Sequence, residues 1–209
     1  MIRRLKISSL FFYGLTSLMF VIIIVCLINA ISWVNKPFPG FFLYDFPYVG
    51  TFSAEDWGGR KAGLKVLDRI VSIEDQPVWQ GQDVLQSVSK KQPGTPVNYV
   101  IESKGKLREL AIPVGKFSIR DFFLVFLFTF LGGIAVFCLG FIVYLLKPNV
   151  GTSWVFFLLC FSLGLYMISG FEILTNYLFV EIHYLALCFM SPLFFHLGSV
   201  FPEKKRFSE

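Results

Sequence analysis

His183 and His196 are the only two histidines in the chain, and the carboxylates Glu172 and Glu181 precede the first of them. Imidazole and carboxylate groups together suggest metal binding or a proton relay. Both histidines, however, fall on one uncharged run. A helix rising ~1.5 Å per residue places them about 20 Å apart there, so they cannot share an ion. At the ends of a membrane helix such groups reach the headgroups at modest cost. Zinc hydrolysis on a membrane helix requires HExxH, two histidines one turn apart with a glutamate base, and the chain has no such motif. Ser199, in Leu197-Gly198-Ser199, lacks a histidine at comparable depth on another helix to activate it. Cys26, Cys138, Cys160 and Cys188 all lie in apolar runs without CxxC spacing, where they read as small hydrophobes rather than as a disulfide or metal framework. No catalytic residue, metal site or cofactor is expected, and the chain is read as a non-enzyme.

The elements that carry these residues are dictated by hydrophobicity. Residues are 55% hydrophobic, with 26 phenylalanines, against ~45–50% apolar usage in soluble domains. No Asp, Glu, Lys or Arg occurs from Ile7 to Asn35 or from Phe122 to Leu146, and further uncharged runs separate Lys147 from Glu172 and Glu181 from Glu203. Each exceeds or approaches the ~20 residues a helix needs to cross ~30 Å of hydrocarbon. Four transmembrane helices are predicted, within residues 1–36, 117–147, 148–174 and 175–202, followed by a tail at 203–209 that reads as truncated. The first run is too long for a signal peptide, and Ile28-Asn29-Ala30 lacks the small residue of a cleavage site. A lipoprotein reading through Cys26 is opposed by Val25. Arg3, Arg4 and Lys6, then Lys147, then Lys204, Lys205 and Arg206 fall on one face after four crossings. The positive-inside rule makes that face cytoplasmic, with both termini on it and residues 37–116 outside the inner or plasma membrane. The net charge of +5 is mostly this signal, and no nucleic-acid surface is indicated. Pro192 predicts a kink in span four, static or hinge-like. Gly132, Gly133 and Gly140 allow close helix approach in span two.

Between the first two spans lies a polar island. After Lys36-Pro37-Phe38-Pro39-Gly40, strands are predicted near Phe46–Phe52, Arg69–Ile73, Val97–Glu102 and Arg108–Pro113. A short helix is expected around Trp57–Ala62 and an amphipathic one near Gln82–Ser89, where Val84, Leu85 and Val88 form one apolar stripe. Ser103-Lys104-Gly105-Lys106 reads as a hairpin turn. The run Arg60-Lys61-Ala62-Gly63-Leu64-Lys65-Val66-Leu67-Asp68-Arg69-Ile70-Val71-Ser72-Ile73-Glu74-Asp75-Gln76-Pro77-Val78, with Gln92-Pro93-Gly94-Thr95-Pro96-Val97 after the second helix, resembles the core of bacterial PDZ domains of the HtrA and site-2-protease type. Leu67 and Asp75 stand where that pattern has glycine. The fold class is therefore read as membrane α-helical, with four transmembrane helices and an inserted small α+β PDZ-like domain at 37–116.

The resemblance implies a peptide added as a strand, its carboxylate held by the loop Gly40-Phe41-Phe42-Leu43 and its side chains received beside Val84, Leu85 and Val88. A wider resemblance covers the whole chain. Phe117, Ser118, Arg120, Asp121 and Phe122 before span two, and Pro192, His196, Phe201, Pro202 and Glu203 at the end, look like the sensory part of bacterial membrane signalling proteins. Those proteins carry a kinase, cyclase or phosphatase module downstream. It implies a sensory or interaction module that binds a peptide or envelope protein and passes its state through the bilayer to such an output. A non-signalling adaptor, or a secretion-apparatus component presenting a PDZ domain, is the alternative.

Overall fold

The computed structural model describes residues 7–51, 54–148 and 150–200. The basic residues Arg3, Arg4, Lys6, Lys204, Lys205 and Arg206, the end of the predicted strand at Phe52, and Phe201, Pro202 and Glu203 lie outside them. Four helical stretches, Ser9–Trp33, Ile119–Leu146, Gly151–Leu174 and Val180–Val200, are long and apolar enough to cross a membrane. The chain divides into two compact units, one holding residues 28–128 and 170–180, the other the remaining helical segments.

The helical unit contains most of α1 (Ile7–Trp33), then α5 (Phe128–Leu146), α6 (Gly151–Ser169) and α7 (Val180–Val200), the last running through Pro192. Small residues set the approach of α5 and α6. A Cβ on Gly133 would come within 2.9 Å of the Gly164 carbonyl, and one on Gly140 would overlap Cys160. Aromatic stacking joins α1 to both, with Phe12 4.2 Å from Tyr144 and 4.9 Å from Phe157. His183, in the first turn of α7 as the sequence suggests for a helix-end residue, is buried against neighbouring side chains. Its Nδ1 lies 2.9 Å from Ser169 Oγ, and its ring lies against Tyr166 at 4.4 Å. The Ser169 hydroxyl already donates to the Leu165 carbonyl at 2.7 Å, so Nδ1 must carry the proton it shares with Ser169.

The second unit is built on a four-stranded antiparallel sheet. Pro37–Phe38 (β1), Gly58–Lys61 (α2), Arg69–Ile73 (β2), Gln76–Pro77 (β3), Gly81–Ser89 (α3), Pro96–Ser103 (β4), Lys106–Pro113 (β5) and Gly115–Lys116 (β6) follow in order. The sheet runs β3-β2-β4-β5. The β4–β5 hairpin keeps register from Pro96↔Pro113 to Ser103↔Lys106. Lys104 and Gly105 both have positive φ, 52° and 75°, the conformation of a two-residue turn whose twist matches the strands. Alternation puts Val97, Tyr99 and Ile101 into a core with Ile70, Ile73, Val84, Val88 and Ile112. Full burial of each such side chain contributes roughly 1.5–3 kcal/mol. The expected strand at Phe46–Phe52 is instead a short hairpin arm, present only as the bridges Leu43↔Val49 and Tyr48↔Arg69. Proline at 47 and the turn through Phe46 interrupt regular pairing.

Helix α3 begins where Asp83 accepts from the Trp79 and Gln80 amides, both at 2.9 Å, a capping box that satisfies donors of the first turn. Ahead of α5, α4 (Ile119–Asp121) continues as a π-helical segment, Phe122–Leu127, into that helix. Ser118 and Asp121 cap it reciprocally, and the buried Asp121 also accepts from the Trp57 indole at 2.9 Å. β1 pairs with β6, and the Asn35 amide donates to the Phe117 carbonyl at 2.8 Å, so the two ends of the inserted domain meet.

Leu67 and Asp75, the two departures from glycine, both sit at positive φ, 66° and 63°. Left-handed geometry costs a branched residue ~1–2 kcal/mol, more than the ~0.5–1 kcal/mol glycine loses in folding entropy. Leu67 is 67% exposed, so Leu67→Gly should raise stability by about 0.5–1 kcal/mol, read as a higher thermal midpoint of the detergent-solubilised chain. A lower midpoint would refute the strain. Asp121→Ala should cost about 3 kcal/mol, because a cap and a buried charge-assisted bond are lost together. Asp121→Asn, which keeps an acceptor for the indole, should cost about half as much in the same assay.

Candidate functional site

The candidate site is the edge of the hairpin arm that begins at Gly40 and lies beside α3. Gly40 has φ +82°, and a Cβ there would come within 2.9 Å of the Gly58 nitrogen, so the loop packs its backbone directly on the start of α2. From Phe41 onward the chain is extended, and its two faces are both covered. Phe41 and Leu43 enter the domain core with Val84 and Val88. Phe42 enters an aromatic cluster, 5.0 Å from Phe38, 5.4 Å from Trp57, 6.1 Å from Phe117 and 6.0 Å from Phe171. Of the residues predicted to line a groove, Gly40, Phe41, Phe42, Leu43, Val84 and Val88 are buried, and only Leu85 is half-exposed. The structure brings Phe41 and Leu43 of the loop together with Val84 and Val88 of the helix. It presents them as a packed seam rather than as an open channel.

The main chain of this arm is paired on both sides. The Phe42 carbonyl accepts from the Gly50 amide at 2.8 Å and the Tyr44 amide donates to the Tyr48 carbonyl at 3.0 Å. Residues 42 and 44 thus turn their peptide groups toward the hairpin partner, which by strand alternation turns those of Leu43 and Asp45 outward. Both outward carbonyls have internal partners. The Gly81 amide, at the start of α3, donates to the Asp45 carbonyl at 2.8 Å. The Tyr177 hydroxyl, from the segment between α6 and α7, donates to the Leu43 carbonyl at 3.2 Å.

Tyr177 is held there from several sides. Its hydroxyl rests against Gly81, where any Cβ would overlap both that oxygen and the Tyr44 carbonyl. Its backbone has φ +56°, and its amide donates to the Glu172 carbonyl at 2.8 Å. Burial, and then the negative charge of Asp45, raise its phenol well above the ordinary tyrosine value, so it stays a neutral donor. The fully buried Glu172 carboxylate accepts from Asn29 Nδ2 and Asn176 Nδ2, each at 3.2 Å. Asn176 Oδ1 in turn accepts from the Trp33 indole at 3.3 Å. The segment carrying Tyr177 is therefore fastened to the end of α1 by part-buried polar contacts that converge on the buried Glu172 carboxylate, which is costly to leave unpaired.

Sequence reasoning had no means of finding Tyr177, Gly81 or Asp45, because their association is a matter of tertiary placement. A polar signal existed only for Asn29, a lone amide within an apolar run. Among the described residues, no group of three or more His, Cys, Asp or Glu side chains could hold a metal ion.

No protein-family model matches the chain, and no curated protein matches it. Parts of solved structures are similar. The serine endoprotease from Yersinia pestis is 20% identical over 40% of this chain and 30% of its own, with a TM-score of 0.36. The HtrA-type protease AlgW with a decapeptide is 20% identical over 39% of this chain and 30% of its own, TM-score 0.35. The HtrA3 PDZ domain bound to a phage-derived ligand is 15% identical over 39% of this chain and 86% of its own, TM-score 0.35.

Gly81→Ala sets two effects against each other. Alanine gains about 1 kcal/mol of helix propensity. Overpacking against a backbone carbonyl that cannot rotate away costs ~1–3 kcal/mol. A net loss of about 1 kcal/mol is expected in thermal unfolding, and a stabilised variant would show that the seam is looser than described.

Proposed function

We propose that residues 37–116 form a PDZ-like recognition domain, displayed outside the cell membrane by a four-span helical protein, that takes an extended peptide or protein segment along the strand edge at residues 41–45. The observation that carries this reading is the outward-facing main chain of Leu43 and Asp45 beside α3, preceded by a glycine loop of positive φ. The two carbonyls of that edge are engaged internally, by the Tyr177 hydroxyl and the Gly81 amide, so an added strand must take over the Leu43 carbonyl at least, and the neighbouring helix gives side-chain selectivity. The resemblance of Ala62-Gly63-Leu64 through Val78 to bacterial PDZ cores supports the same reading, as does the peptide-bound state of one similar domain.

The role is sensory. The ends of the domain continue directly into α1 and into the α4–α5 stretch, so a ligand that favours one arrangement of those ends over another shifts the helices with them. The downstream consequence is an output module, a kinase, cyclase or phosphatase, in the same chain or in a partner. The apolar lengths of the helices and the distribution of Lys and Arg support cytoplasmic termini.

Two measurements test this. Alkaline phosphatase fused after Lys116 should be active and a fusion after Lys147 inactive, and the reverse pattern would overturn the orientation. Leu85→Glu places a charge beside the seam without entering the core. In the full chain reconstituted in nanodiscs, it should weaken binding of carboxylate-terminated peptides at least tenfold, and unchanged binding would remove α3 from the site.

A further inference from the structure

We propose that Tyr177 is a built-in occupant of the peptide-accepting edge, so that an external peptide binds only by displacing it; this rests on the peptide-recognition reading above. Adding a strand to residues 41–45 requires the Leu43 carbonyl to accept a main-chain N–H from the incoming peptide. In the structure that carbonyl already accepts from the Tyr177 hydroxyl. The phenol also fills the space over Gly81, which no side chain of residue 81 can take while the tyrosine is present. Donor and volume therefore coincide with what a ligand would supply at one position of the edge.

The occupant's position is enforced by its neighbours rather than by its own backbone preference. Tyr177 adopts a left-handed backbone, φ +56°, a geometry that persists in a non-glycine residue only while its surroundings enforce it. Those surroundings are the Glu172 carbonyl that takes its amide, and the Asn176 side chain bridging the Glu172 carboxylate and the Trp33 indole. Asn29 holds the same carboxylate. Displacing the tyrosine thus loosens a segment tied to the last turns of α1. Occupancy of the edge and the geometry of that helix end are coupled in both directions, as any linkage between two sites requires.

The apparent affinity of a peptide is its intrinsic affinity reduced by the fraction of molecules with the edge free, so a tyrosine in place nine-tenths of the time weakens binding tenfold. The test uses the full chain in nanodiscs, titrated by fluorescence anisotropy with the best binders from a library of soluble peptides ending in a free carboxylate. Tyr177→Ala should bind about tenfold or more tightly than the wild type. Tyr177→Phe, which keeps the ring and the packing but loses the donor, should bind a few-fold more tightly. Asn176→Ala should also strengthen binding, and should add nothing to Tyr177→Ala because both act by freeing the same edge.

If wild type, Tyr177→Phe and Tyr177→Ala bind alike, while Leu85→Glu abolishes binding in each, the tyrosine is not a competitor and the recognition reading stands. If no variant binds any peptide up to millimolar concentration, the recognition reading itself fails and this inference with it. Should Tyr177→Ala not fold, equal affinities of Tyr177→Phe and wild type are enough to overturn the proposal.

Discussion

The ends of the inserted domain are held together by aromatic packing around Phe117, and the rest of that unit depends on this closure. The backbone of Phe117 exchanges hydrogen bonds with Asn35 and Lys36. Its ring lies 5.6 Å from Phe38, 6.1 Å from Trp33 and 5.8 Å from Phe171. Each such pair contributes ~0.5–1.5 kcal/mol beyond the area it buries. Closing a long loop costs only slightly more than closing a short one, so a few aromatic contacts and the two-residue β1–β6 ladder suffice to join the ends of residues 37–116. The same cluster takes Phe42 from the hairpin arm and Phe171 from the segment before α7. Edge, domain ends and that segment therefore share one packed centre.

A second constraint works through polar groups. Asn29 and the exposed Asn176 satisfy the buried Glu172 carboxylate, Asn176 also taking the Trp33 indole, and a buried carboxylate without such partners is costly. Their bonds place Tyr177 over the seam between the hairpin arm and α3. The apolar cluster thus decides where the segment 170–180 runs, and the polar one decides which of its side chains meets the edge.

Several features were legible from residue types alone. Val97, Tyr99 and Ile101 alternate with exposed neighbours as a half-buried strand must, and Lys104-Gly105 declares the hairpin turn. The sequence Phe117-Ser118-Ile119-Arg120-Asp121 contains the serine and aspartate of a reciprocal cap, although not the Trp57 indole that makes Asp121 a junction between domain and helix. Leu67 and Asp75 stand where glycine was expected and adopt glycine-like φ, because the turn geometry outweighs the preference of the single residue. Phe41, Phe42 and Leu43 illustrate the opposite case. Their types suit a ligand-facing loop and a core equally well, and only packing against Val84, Val88 and the aromatic cluster assigns them to the interior. His183 is similar, since its position near a helix end says nothing of Ser169 and Tyr166 on the neighbouring helix.

What the sequence determined by itself is whatever depends on local periodicity and on transfer to an apolar phase. That comprises four long apolar helices, a polar insert of strands and two helices, and the turns and caps that bound them, all governed by interactions a few residues apart. The tertiary structure alone decided how the edge at residues 41–45 is paired. The Leu43 carbonyl and the Tyr177 hydroxyl are separated by most of the chain, and a hydrogen bond between them exists only once the aromatic cluster and the Glu172 contacts have brought both to one place. Long-range pairing of this kind leaves no periodic trace in the residues that make it.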